Sequence, residues 1–330
     1  MNHSYPQQDS WADIMSSDSV PKQARTPKIC VVGSANMDLL SRVPRLPRMS
    51  ETLVGSAFHM GCGGKGSNQA AMAAKLGAQV TMVVKLGRDP LGEITFQNYK
   101  NLGIDVSHVY WDEKHFSGVA PIFVDEQGNN CIVIVPGANM ALTPKEVAEA
   151  GDAIRAANVV ICQLETPIEC ALEAFRIAKS AGVTTILNPA PAMPIPDELF
   201  RLSDIAAPNE IEAESLSGRT VRSLKDAEEA AKKLLSRGSR TAIVTLGENG
   251  ALLVTPGGVT HIPARKVSIV DTTGAGDAFV GSLACFLGEG QPIELAIRNA
   301  NAVASVSVTR TGTQTSFPTR SEVKDLITVR

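Results

Sequence analysis

The sequence predicts an α/β fold: a three-layer αβα sandwich on a mostly parallel sheet, with a small β lid. Three observations predict it. Short β-branched runs recur from residue 28 onward, at 28–32, 80–85, 159–163, 183–187, 205–207 and 242–246. Ala-rich stretches with helical spacing lie between them, at 67–76, 92–102, 168–180, 211–217, 223–237 and 278–287. Strands apolar on both faces that alternate with helices specify a parallel sheet covered on both sides. The third observation is a pair of stretches that break the alternation.

Each element has a local reason. Gly77, Gly103, Gly182 and Gly238 follow helical stretches and suit the left-handed position that ends a helix. Residues 41–62 and 115–136 read as short strands with turns, and SGVAPIFVDEQGNNCIVIVPG reads as a hairpin turning at 127–130. The two insertions can pair into a separate small sheet, either a lid over a site or an edge decoration. No solenoid repeat or long linker divides the chain, so residues 27–330 are expected to form one large domain. Residues 1–26 are polar, lack the apolar run of a signal peptide, and read as a disordered tail.

Composition narrows the function. Hydrophobic residues make up 44% of the 330 residues, enough for a sizeable core. The net charge of −3 carries no basic excess for nucleic acid or anionic membranes, and no apolar run approaches a membrane span. Six cysteines (30, 62, 131, 162, 170, 285) show no paired spacing, and four sit in apolar runs. They read as reduced thiols of a cytoplasmic protein, with nuclear presence left open.

Two glycine-rich segments carry the chemistry. GCGGKGSNQ (61–69) matches G-x-G-x-x-G formally, but it follows no clean buried strand and no ribose-binding acid stands about 20 residues on. Lys65 precedes a glycine rather than Ser or Thr, so it is no P-loop either. It reads as a glycine patch at a helix start, suited to a polar or anionic ligand, or as a structural turn. DTTGAGDAFVGSLACFL (271–287) is more informative. Gly274, Ala275 and Gly276 precede an apolar helix, and consecutive amides there can form an anion nest reinforced by the helix dipole. Asp277 beside them is either an N-cap or a base for phosphoryl transfer. Polar residues at other strand ends converge on the same edge: Asn36, Asp38, Glu165, Asn209 and the TLGENG loop (245–250).

GGKGSNQA (63–70) and DTTGAGDAF (271–279), about 200 residues apart, resemble the two signatures of the phosphofructokinase-B (ribokinase-like) family of carbohydrate kinases. GSANMD, QLE, NPAPA, PNEIEAE and TRTGTQTSFP are similar to its ribose-acting branch, and the resemblance spans 28 to about 318. It implies ATP-dependent phosphorylation of D-ribose at the 5-hydroxyl. Asn36, Asp38, Asn68, Glu165 and the Gly64–Lys65 backbone would hold the sugar, with Asp277 the base and Gly274, Ala275 and Gly276 the anion hole. Asn209 and Glu212 match a motif associated with magnesium and phosphate. Thr245, Leu246, Gly247, Glu248, Asn249 and Gly250 match the ATP loop, and Asn301 a position near adenine. Asp271, Thr273, Ser307, Arg310, Gly312 and Ser316 match a monovalent-cation site, usually for K+. The resemblance also implies a homodimer through the lid. A sibling kinase for deoxyribose, fructose or a nucleoside, and a non-catalytic sugar sensor, are the competing readings.

Overall fold

The computed structural model describes residues 26–328, so the expected tail lies outside the described residues but for Thr26. Nine strands form the main sheet in the order β13-β12-β11-β10-β9-β8-β1-β4-β5. They are β1 (Lys28–Val32), β4 (Gln79–Gly87), β5 (Asp105–Asp112), β8 (Val159–Cys162), β9 (Thr184–Leu187), β10 (Ile205–Ala206), β11 (Thr241–Thr245), β12 (Ala251–Thr255) and β13 (Gly258–Ile262). The seven strands from β5 to β11 run parallel, and β12 and β13 close one edge as an antiparallel hairpin. The chain leaves β1 toward β4 on one side and later toward β8 on the other. That reversal opens a crevice at the carboxyl ends of the strands.

The central strands read as unbroken apolar runs because both faces are covered. Ile29, Val31, Val159 and Ile161 point into one core, and Cys30, Val32, Val160 and Cys162 into the other. Helices α1 (Lys65–Lys75), α2 (Pro90–Asn101), α9 (Ala275–Gly288) and α10 (Ile293–Ser307) contribute to the first core. The second is covered by α3 (Pro144–Glu149), α4 (Gly151–Ala156), α5 (Ile168–Ser180) and α6 (Asp197–Arg201). Helices α7 (Glu210–Ser217) and α8 (Leu224–Ser236) pack a third cluster against β11 and β12. A short α11 (Arg320–Val323) follows.

The second sheet has four strands in the order β3-β2-β6-β7: β3 (Ala57–Gly63), β2 (Asn36–Arg42), β6 (Gly118–Val124) and β7 (Asn130–Ile132). It starts earlier than expected, because β2 already begins at Asn36, while residues 43–56 hold no strand. The hairpin between β6 and β7 turns where the sequence indicates, closed by Asp125 accepting from the Gln127 and Asn129 amides. The sequence reading gave no element for β5, β12, β13, α3, α4, α6, α10 or α11. Edge strand β5 mixes polar and apolar residues on a half-covered surface, which hides its period. Helix α3 did carry a signal, since Thr143 and Glu146 form a capping box.

Helices α1 and α9 pack tightly at Gly281. A Cβ there would lie 2.5 Å from the Gln69 carbonyl oxygen and 2.9 Å from Met72 Cβ. In an exposed helix Gly→Ala gains about 1 kcal/mol. Here Gly281→Ala is expected to cost about 1–3 kcal/mol, because the overpacked helices must separate. A thermal melt checks this, and a raised Tm would contradict the close packing.

Candidate active site

Helix α9 begins at Ala275, three residues before the predicted start, with Gly274 as N-cap at φ 76°. That left-handed backbone favours glycine. Asp277 is therefore the third helical residue and caps nothing, which removes the N-cap alternative. It is only 7% exposed. Its carboxylate accepts one amide N–H at each oxygen, from Asn68 Nδ2 at 2.9 Å and from Gln69 Nε2 at 3.0 Å. The helix N-terminus adds favourable field for the negative charge.

A cleft opens in front of Asp277. Lys65, Asn188, Asn209, Glu212, Thr245, Thr272, Gly274, Ala275 and Gly276 line it together with Asp277. The Ala275 amide donates to the Thr272 carbonyl at 3.1 Å, so of the three nest residues it is the one already committed within the chain. Burial pulls the Lys65 ammonium down, but the charges of Asp277, Glu165 and Glu212 outweigh it and hold the group above its ordinary value. None of those carboxylates touches it as an ion pair among the described residues. A half-buried ammonium facing a cleft without a direct counter-ion suits an anionic ligand. Asn209 caps helix α7 and forms a capping box with Glu212, whose carboxyl is pushed up mainly by burial.

Asn36, Asp38 and Glu165 gather behind this cleft, where the small sheet meets the large one. Glu165 accepts from the Lys65 amide at 2.9 Å and from Ser34 Oγ at 2.5 Å, so it braces the glycine loop. The Lys65 amide, expected to face the sugar, is thereby engaged within the chain. Gly64 adopts φ 87° and packs on the Asn36 amide, where a Cβ would collide at 2.6 Å. Asn36 Oδ1 accepts from Asn139 Nδ2 at 2.8 Å, and Asn139 also grips both backbone groups of Ala35. Asp38 packs against the Cα of Gly63 and accepts from Thr313 Oγ1 at 3.2 Å. Burial pushes its carboxyl up to about 6, with Asp277 and Glu165 adding to the rise and the Thr313 bond opposing it.

The remaining expected positions are not among the residues that line this cleft. Leu246 is buried, Glu248 and Asn249 are exposed, and Gly247 and Gly250 both take positive φ, at 53° and 91°. Asn301 is buried and donates to the Ile262 carbonyl at 3.0 Å, tying α10 to β13. Asp271 accepts from the Thr273 and Gly312 amides, which joins the two loops of the expected cation site. Burial alone would raise the Asp271 carboxyl, but these bonds outweigh it and hold it below its ordinary value. Ser307 and Ser316 donate back to the carbonyls of Ala304 and Thr313. Arg310 pairs with Glu322 at 2.8 Å, so only its backbone is free to face a cation.

Sequence reasoning passed over Gln69, Asn139, Gln163, Asn188, Thr313 and Gln314. Apart from Asn139, they stand inside motifs already singled out, GGKGSNQA, QLE, NPAPA and TRTGTQTSFP, so their signal was their neighbourhood. Asn139 had none, because only folding brings it 104 residues back to Ala35.

The pfkB family carbohydrate kinase model matches residues 26–320. The chain is 41% identical over 300 residues to a ribokinase of Mus musculus, covering 89% of this chain and 93% of that one. It is 38% identical over 302 residues to a deoxyribokinase of Salmonella typhi, covering 91% and 99%. An Arabidopsis thaliana ribokinase solved with ribose and ATP superposes with a TM-score of 0.87 at 33% identity, covering 93% of this chain and all of that one.

The raised Asp38 carboxyl has a consequence for stability. Its contribution is intact below the unfolded value near 3.8 and is lost as pH rises through about 6. Asp38→Asn escapes that loss. The variant is expected to be more stable than the parent by about 1–3 kcal/mol at pH 8, with the gap closing near pH 4. Thermal melts at both pH values test this, and a gap independent of pH would refute it.

Proposed function

The chain belongs to the pfkB family of carbohydrate kinases, and on that premise we propose that it phosphorylates D-ribose at the 5-hydroxyl with ATP. The observation that carries the reading is Asp277: a buried carboxylate at a helix N-terminus, beside the Gly274–Gly276 turn and Lys65, with the Asn36, Asp38 and Glu165 group behind it. Both halves of a phosphoryl transfer are present there, a proton acceptor and donors for the transferring charge.

In this mechanism ribose lies between the two sheets, with hydroxyls on Asn36, Asp38, Asn68 and Glu165. This polar set favours a free pentose over a nucleoside, whose base calls for apolar contacts. Asp277 accepts the 5-hydroxyl proton as the oxygen attacks the γ-phosphorus of ATP. The Gly274 and Gly276 amides and the Lys65 ammonium face the transferring oxygens. Thr245, Leu246, Gly247, Glu248, Asn249 and Gly250 border the nucleotide, with Asn301 holding the adjoining strand. Residues 27–330 act as one kinase unit, and the small sheet closes over the sugar to exclude water.

Two ions fit the donors present. Asn209 and Glu212 offer hard oxygens beside Lys65 in the cleft, which suits Mg2+ bound through water and phosphate. Mg2+ when bound supplies positive charge to the phosphate oxygens. For K+, the Asp271 carboxylate and the backbone carbonyls of Thr273, Ser307, Arg310, Gly312 and Ser316 would supply the oxygens, and the amide bonds that join Asp271 to Thr273 and Gly312 support that reading.

The small sheet also supports a homodimer. Phe58 and Met60 on β3 and Ile132 to Val135 at β7 are exposed, and both outer strands have open edges. Six free thiols, four of them buried, fit a cytoplasmic setting. Among the described residues no helix is long and apolar enough to cross a membrane.

The similarity to a deoxyribokinase favours 2-deoxyribose as the second substrate to try. Coupled ADP release with Mg-ATP across ribose, 2-deoxyribose, fructose and adenosine, with and without K+, tests the reading. Ribose preference and K+ activation are expected, with Asp277→Asn losing roughly 10²–10⁴-fold in kcat. Asp277→Asn within threefold of the parent would remove the base, and no ADP from folded protein would favour a sugar sensor. Sedimentation is expected to give a dimer, and a monomer at high concentration would reject that assembly.

A further inference from the structure

The environment of Asp277 extends one step beyond its two amide donors. A carboxylate can only accept, so Asn68 must turn its Nδ2 toward Asp277 and its Oδ1 away. That Oδ1 accepts from Gln314 Nε2 at 3.1 Å. Gln314 is itself oriented: Nε2 also donates to Ser67 Oγ at 3.0 Å, and Oε1 accepts from Asn98 Nδ2 at 2.9 Å. Its backbone carbonyl is held by Lys75 Nζ at 2.6 Å. The other oxygen of Asp277 has a matching arm. Gln69 donates to it, and Gln69 Oε1 accepts from Gln163 Nε2 at 2.6 Å. The arms differ at their outer ends. Asn98 completes the first, whereas Gln163 Oε1 is buried against Gly33 with no partner, and Gln69 is held instead by donating to Asn188 Oδ1 at 2.9 Å, with Asn188 in turn donating to the Ala207 carbonyl.

An amide flips at little steric cost, so what fixes its polarity is the donor or acceptor on its far side. We propose that Gln314 is a positioning residue that locks Asn68 with its N–H group toward Asp277, keeping that carboxylate as a proton acceptor. The proposal rests on the reading of Asp277 as the base. It gives the TRTGTQTSFP loop a second role, because adjacent Thr313 and Gln314 then hold Asp38 and, through Asn68, Asp277. The charged groups facing Asp277 are Lys65, Asp38 and Glu212, and Gln314 adds no charge to them.

Gln314→Glu reverses this polarity with almost no change of shape. Ionised, it offers only acceptors, so Asn68 must turn its Nδ2 outward and set its oxygen against Asp277. The added charge also acts on Asp277 through space. Gln314→Met keeps the volume with neither donor nor charge and frees Asn68 to turn, so it separates the two effects. The measurement is kcat against pH, from about 5.5 to 9 at saturating ribose and Mg-ATP, for the parent, Gln314→Glu, Gln314→Met and Asp277→Asn. Gln314→Glu is expected to move the acidic limb upward by about one pH unit, a tenfold loss on that limb and recovery at high pH. Gln314→Met is expected to move the limb in the same direction and to lower kcat about 10–100-fold. A folded Gln314→Met whose kcat and limb overlay the parent's, with Asp277→Asn inactive, would overturn the lock while leaving the base in place, whatever Gln314→Glu does. An active Asp277→Asn would instead overturn the base.

Discussion

At the crossing of α1 and α9 the Cα of Gly281 lies against the Gln69 carbonyl, with no room for a methyl group. The Asp277 carboxylate and its two amide donors are brought together across that contact. Helix α1 carries Asn68 and Gln69, and α9 carries Asp277, so the separation of the two helix axes sets the 2.9 and 3.0 Å bonds between them. The two residues bonded to Asp277 are adjacent in sequence, so a small shift of α1 would lengthen both bonds together. Close-packed interiors transmit such shifts rather than absorb them. The glycine is thus a distance constraint on a site one helical turn away.

Around this frame the site gathers four carboxylates, Asp38, Glu165, Glu212 and Asp277, near one ammonium, Lys65. Such a set costs stability, because burial penalises each charge and like charges add to the penalty. Hydrogen bonds offset part of it: backbone amides for Glu165 and Glu212, a hydroxyl for Asp38 and two side-chain amides for Asp277. The carboxylates outnumber the ammonium, so the set stays net negative and leaves Lys65 without a direct ion pair beside the cleft. Local strain and unpaired charge concentrate at functional sites, held there by the surrounding fold.

Much of the architecture was legible because the sheet is buried on both faces. Continuous apolar strands and Ala-rich helices leave a clear alternation, so all six predicted strands and all six predicted helices fall on elements of the structure. What failed to register was partly exposed: β5 and the β12–β13 hairpin at the sheet edges, where one covered face supports fewer apolar residues. The small sheet was legible as strands but not in its extent, since β2 starts within the GSANMD motif that also supplies site residues.

The sequence by itself determined the two glycine-rich signatures, the edge of the sheet where polar residues gather, and the resemblance to a carbohydrate-kinase family. These are local patterns, written in residues near one another along the chain. Only the tertiary structure decided that Asp277 is no helix cap, because the choice depends on the φ of Gly274 and where α9 begins. It alone joined Asn139 to Asn36 and Gln314 to Asn68, pairs 103 and 246 residues apart. The physical reason is that amides and carboxylates have no preferred partner in sequence. Their roles are assigned by which donors and acceptors the packed helices bring within 3 Å, and that distance is a property of the fold.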